Sequence, residues 1–173
     1  MFDPSIQRTN LLRITRHLTR FNKINRAYSW YREGRIYLQQ GDYRRALTQL
    51  NEAISKAPGY AEAYTSRGQT YYKLGQFERA KTDFVQALAL NQRQYEAHFG
   101  LGEIYDLEHE HDRAIAAYSK TLWLKANYAP AYNNRGCVYT DIQEHQRALA
   151  DFNKALRLNP QFALAYTNRG LVY

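Results

Sequence analysis

Residues 131–139 read AYNNRGCVY, and residues 165–173 read AYTNRGLVY. Seven of nine letters agree across a spacing of 34. The same frame stands upstream as AHFGLGEIY at 97–105, AYTSRGQTY at 63–71 and SWYREGRIY at 29–37. Its glycines, Gly34, Gly68, Gly102, Gly136 and Gly170, keep the period of 34 without a slip. A fixed period of this length is the mark of a stacked-repeat architecture.

With the glycine as position 8, repeats begin at Ala27, Ala61, Tyr95, Ala129 and Ala163. Position 4 is Trp30, Tyr64, His98, Tyr132 and Tyr166, and position 11 is tyrosine throughout. Positions 4, 8 and 11 share one helical face. The glycine between two large rings lets another backbone come close. A turn such as LGQFERA at 74–80 follows, and then a second periodic run. That run has alanine at position 20, Leu50, Phe84, Tyr118 or Phe152 at position 24, and a small residue at position 27. This is a second amphipathic helix. Pro58 and Pro160 at position 32 bar its continuation in two repeats. Each repeat is therefore a helical hairpin, and one hairpin cannot bury its own apolar face.

These anchors resemble the tetratricopeptide repeat family, whose pattern W-x2-L-G-x2-Y…A-x3-F…P matches four full repeats and the first helix of a fifth. The resemblance spans about 85% of the chain, residues 27–173. It implies an all-α, right-handed α-solenoid with repeats at 27–60, 61–94, 95–128 and 129–162 and a partial repeat at 163–173. Two departures stand out. His109 replaces a usual turn glycine, and Gln92 and Ala126 replace the proline of repeats 2 and 3.

Position 7 carries a second signal. Arg67 and Arg135 at position 7 go with Asp83 and Asp151 at position 23, whereas Leu101 goes with Ala117. In an antiparallel hairpin where position 11 faces 20 and 4 faces 27, positions 7 and 23 lie at one level. The spacing predicts Arg67–Asp83 and Arg135–Asp151 ion pairs within a hairpin.

In the family that the repeats resemble, positions 2, 5, 6, 9, 12 and 13 of the first helices line a concave groove. The same positions here run from basic and aromatic (Tyr31, Arg35), through Tyr72 and the acidic Glu96, Glu103 and Asp106 with Phe99, to the amides Asn134 and Asn168. A nucleic-acid track would be basic throughout, so the pattern suits a peptide segment of mixed chemistry. Asn134 and Asn168 both occupy position 6, and stacking is expected to set them side by side as a short amide ladder. The family's clamp for acidic chaperone tails needs Lys, Asn, Asn, Lys and Arg at set groove positions. Tyr31, Arg35, Ser66, Glu96 and Gly100 stand there instead, so that activity does not carry over.

The chain has 173 residues, 45% of them hydrophobic, with sixteen tyrosines and a single cysteine, Cys137. Of the net charge of +8, residues 1–26 contribute most: Arg8, Arg13, Arg16, Arg20, Lys23 and Arg26 stand against Asp3 alone. Leu11, Ile14, Leu18 and Phe21 at helical spacing make this basic arm amphipathic. A cap on repeat 1 is the expected role. Peripheral membrane contact through residues 8–26 and nucleic-acid association are the rival readings. The opening MFDPSIQRTN has no apolar run of signal type, and the expected location is the cytoplasm.

EHEHD at 108–112 is the only dense metal-capable cluster and reads as a solvated turn, because no other repeat presents a third ligand in sequence register. No phosphate loop or metalloprotease motif occurs, and no histidine stands at a set spacing to activate Cys137. No catalytic, cofactor-binding or metal residue is assigned. The expected function is a non-enzymatic scaffold that docks an extended peptide or partner protein, an assembly factor for a larger complex, with self-association through the 163–173 helix.

Overall fold

The computed structural model describes residues 25–172. All regular structure among these residues is helical. Helix α1 covers residues 25–40, and then come α2 (Tyr43–Lys56), α3 (Ala61–Lys73), α4 (Phe77–Leu90), α5 (Tyr95–Leu107), α6 (His111–Leu124), α7 (Ala129–Asp141), α8 (His145–Leu158) and α9 (Ala163–Gly170). Residues 25 and 26, assigned above to the basic arm, belong to α1. The remainder of that arm, with its expected cap, membrane and nucleic-acid roles, lies outside the described residues.

Helices pair most extensively as α3 with α4, α5 with α6 and α7 with α8. Each hairpin then packs on the next through α2–α3, α4–α5, α6–α7 and α8–α9, and the first helices touch in series from α3 to α9. This is an all-α solenoid. Its core is a repeating seam: Ala46, Ala80, Ala114 and Ala148 are fully buried, as are Ala63, Ala97, Ala131 and Ala165 at position 3. The glycine of position 8 is required by the large residue at position 24. A Cβ on Gly68 would stand 2.7 Å from Phe84, and one on Gly136 would stand 2.7 Å from Phe152. Burying each such ring contributes about 1.5–3 kcal/mol, and the bare backbone opposite makes room for it.

The hairpin turns share one geometry. Gly41, Gly75, His109 and Gln143, all at position 15, have φ of 77°, 71°, 57° and 62°. The next amide bonds back to position 11, as in Asp42 N–H to Tyr37 O (2.9 Å) and Glu144 N–H to Tyr139 O (2.8 Å). The amide of position 15 itself reaches position 12. This pair of bonds is the Schellman end of a helix. His109 and Gln143 hold the left-handed conformation without glycine, at a cost of about 1–2 kcal/mol each. The two non-proline helix ends also keep their register. In repeat 2, Asn91 Oδ1 accepts from Arg93 N–H at 3.0 Å. In repeat 3, Lys125 donates to the Tyr95 hydroxyl at 2.7 Å. Both departures from the repeat pattern thus leave turn geometry intact.

Both expected ion pairs are present and bidentate. Arg67 Nε and Nη2 donate to Asp83 at 2.7 Å each. Arg135 Nε and Nη2 donate to Asp151 at 2.7 and 2.9 Å. The remaining Nη1 reaches position 25 of the preceding repeat: Asn51 from Arg67, Ser119 from Arg135 and Asn153 from Arg169. Each arginine so placed also lies over the position-4 ring beside it, at 5.4–5.8 Å from the centroid. Where the sequence pattern showed a bond within one hairpin, the guanidinium also joins two hairpins.

Candidate functional site

Where repeats 2 and 3 meet, the groove deepens into a cavity of about 300 Å³. Tyr72 and Lys73 at the end of α3 form one wall. Glu96, Phe99 and Glu103 on one face of α5 form the other. These α5 residues are spaced by three and four, so they rise along one side of the helix. Phe84 forms the floor. Its ring is 1% exposed and packs directly under the backbone of Gly100, position 6 of repeat 3, where a Cβ would collide with it. The sequence places Phe84 in the core, and it lies there; that it also underlies the groove follows from glycine at a position held elsewhere by Ser66 or Asn134.

The walls are acidic and aromatic. Burial pushes the Glu103 carboxyl up to about 7, Lys73 acts against that and Asp106 with it. The Tyr72 phenol is pushed up to about 12 by burial and then by the charges of Glu103 and Asp106. Phe99 meets Tyr128 edge-on at 5.1 Å and Tyr118 at 5.7 Å, so its ring is held from two sides. Carboxylates and π faces exposed together in a concave wall attract cations and aliphatic stems.

Four of the nine sequence-assigned groove residues, Tyr72, Glu96, Phe99 and Glu103, therefore share one cavity. Asp106 lies within the field of Tyr72 but turns toward Asp141 and His111. Tyr31 and Arg35 sit apart on α1. Tyr31 packs at 4.9 Å on Tyr60, and exposed Arg35 donates to the Tyr31 hydroxyl at 3.4 Å.

The amides are arranged differently from the expected ladder. Asn168 Nδ2 donates to Asn133 Oδ1 (3.0 Å) and to Cys137 Sγ (3.2 Å), and Asn133 Nδ2 donates to Asn134 Oδ1 (3.1 Å). Asn134 and Asn168 are thus joined through Asn133, which is 2% exposed and was read from sequence as a groove residue. The register arithmetic placed position 6 beside position 6. It missed that Asn133, at position 5, bonds to the next repeat and is buried; Thr65 at the same position is buried too, whereas Phe99 there faces the cavity.

In the EHEHD turn Glu108, His109 and Asp112 are exposed, as in a solvated turn. His111 opens α6 half-buried, and its donor atom lies near those of Asp106 and Asp141. The third ligand-capable group comes from the end of α7, not from an equivalent turn. Among the described residues no helix is long and apolar enough to cross a membrane.

Three family matches run along this solenoid: a TPR repeat over residues 34–75, a tetratricopeptide repeat over 65–131 and another over 129–162. No curated protein matches the sequence. Among solved structures, the chain is similar to a MamA protein at 26% identity and a TM-score of 0.72, covering 85% of this chain and 80% of that one. It is also similar to PilF of Pseudomonas aeruginosa at 19% identity and a TM-score of 0.79, covering 87% and 69%. A thermophilic TPR protein of Thermus thermophilus superposes at 22% identity and a TM-score of 0.70, covering 84% and 80%. The in-phase glycines and tyrosines, the paired helices and the consecutive family matches agree: the chain belongs to the tetratricopeptide repeat family.

Proposed function

We propose that the chain is a non-enzymatic docking scaffold that binds an extended, cationic and apolar peptide segment of a partner protein across the groove of repeats 2 and 3. Family membership supports protein interaction in general. The observation that carries the finer reading is the cavity in which Glu96 and Glu103 flank Phe99 and Tyr72 over a floor of Gly100 and the buried Phe84 ring. A lysine or arginine of the ligand would place its stem on the rings and its charge between the carboxylates. Asn134 and Asn168, farther along the groove, are proposed to meet the ligand backbone, and Tyr31 and Arg35 to meet its other end. Action in the cytoplasm during assembly of a larger complex belongs to the same proposal.

The test is fluorescence polarisation with two labelled peptides of equal length. One carries Arg or Lys alternating with Tyr or Leu, and the other carries Asp or Glu in place of the cations. The cationic peptide is expected to bind more tightly, and the double variant Glu96→Gln, Glu103→Gln to lose about tenfold or more in affinity as two close charges are removed. Equal affinity for both peptides, or a double variant that binds as the parent does, overturns the reading.

A further inference from the structure

A separate set of polar groups lies at the corner of α5 and α6, at the turn end of the repeat 3 hairpin. Asp106 stands in the last turn of α5, His111 opens α6 and Asp141 closes α7. A donor atom from each lies within 4.8 Å of the other two. The three side chains come from three helices of two successive repeats, brought together by the stacking of hairpins.

One of the three lacks a partner. His111 Nδ1 is buried and has no hydrogen-bond partner. The hydroxyl of Tyr118, a residue with no exposed surface, is unpartnered as well. Asp106 is the charge that acts on it most strongly. The Asn134 amide lies close to that hydroxyl but misses hydrogen-bond geometry, so the hydroxyl counts as unsatisfied. Among the described residues only one other buried side-chain atom is unsatisfied, Gln49 Oε1 in repeat 1. Leaving such a group dry and unpaired costs about 1–3 kcal/mol, so the bare His111 nitrogen beside Asp106 and Asp141 calls for an occupant.

We propose that Asp106, His111 and Asp141 bind a divalent transition-metal ion of the zinc type. The ion clips the α5–α6 corner of one repeat to α7 of the next. Two carboxylates alone would suit calcium or magnesium, and the imidazole shifts the preference toward zinc and its neighbours. Three protein ligands leave positions for water. Bonds of about 2.0–2.2 Å require the donor atoms to close by roughly 1 Å, which rotation of the exposed Asp141 supplies. The site does not depend on the peptide reading, since it is defined without the residues that line the cavity.

The test is calorimetric titration of the chelator-treated full chain with zinc chloride, paired with the melting midpoint with and without zinc. The variants are His111→Gln and Asp141→Asn, with His109→Gln and Cys137→Ser as controls. His109→Gln is a mild control, because Gln143 already holds the same left-handed turn position one repeat on. One saturable site and a raised midpoint are expected. His111→Gln and Asp141→Asn should each lose more than the about 10–100-fold typical of removing an outer partner, with both controls unchanged. No saturable binding overturns the site, and so does zinc binding that survives both ligand variants or disappears in either control. Asp141 is exposed, so its variant keeps the test decisive if His111→Gln fails to fold.

Discussion

Asp151→Ala offers the sharpest test of how the hairpins are held. The carboxylate accepts two bonds from Arg135 at 2.7 and 2.9 Å, and Asp151 is 6% exposed. Removing it leaves a guanidinium whose only remaining side-chain acceptor is Ser119. A stranded, fully buried charge costs about 3–5 kcal/mol. The Arg135 side chain is 19% exposed, so water recovers part of that, and about 2–4 kcal/mol is expected. For a chain of this size that lowers the melting midpoint by roughly 5–12 °C. Repeat 3 supplies the control, since it carries Leu101 and Ala117, both buried, in place of the pair. The double variant Arg135→Leu, Asp151→Ala copies that solution and should return to within about 1 kcal/mol of the parent. Urea unfolding followed by circular dichroism reads both. A loss below about 1 kcal/mol for Asp151→Ala, or a double variant no better than the single, would refute the reasoning.

Glu103, pushed up to about 7 by burial, makes stability pH-dependent. Its folded-state pKa lies above the unfolded value, so stability is fully present below about pH 4.5 and declines as pH rises through 7. At about 1.4 kcal/mol per unit, Glu103→Gln should remove a decline of up to about 3 kcal/mol; midpoints that vary with pH alike in parent and variant would count against this. A cationic peptide should favour the ionised carboxylate and bind more tightly at pH 8 than at pH 6, and a flat profile would speak against contact with Glu103. Leu164, Tyr166 and Leu171 are exposed on and beside α9, where a Cβ added to Gly170 would meet nothing within 4 Å. We propose self-association through this strip, so sedimentation should show mass rising with concentration and Leu171→Asp should abolish the rise; a single monomer species throughout would exclude it.

The hairpins, their register and the Arg–Asp pairs were legible because each is a relation between positions that recur every 34 residues. Comparing copies separates Arg67–Asp83 from Leu101–Ala117 without any structure. Gln143 holds the left-handed turn that all four hairpins share, although nothing in its side chain advertises it, because main-chain bonds enforce it. What occurs only once was hidden. Phe84, itself buried, lies directly under the groove because Gly100 has no side chain. Asn133 is buried by the next repeat, although its position within one helix looks open. Asp141 meets His111 because successive hairpins stack, a relation between positions 13 and 17 of different repeats that no single-repeat pattern contains.

The most direct test of the docking proposal is a two-dimensional amide NMR titration of the 15N-labelled chain with the cationic, aromatic peptide. The account expects saturable shifts centred on Gln69, Tyr72, Glu96, Phe99, Gly100 and Glu103, the residues around the cavity. Shifts centred instead on the exposed Val85 and Trp123, with the cavity amides unmoved, would contradict it.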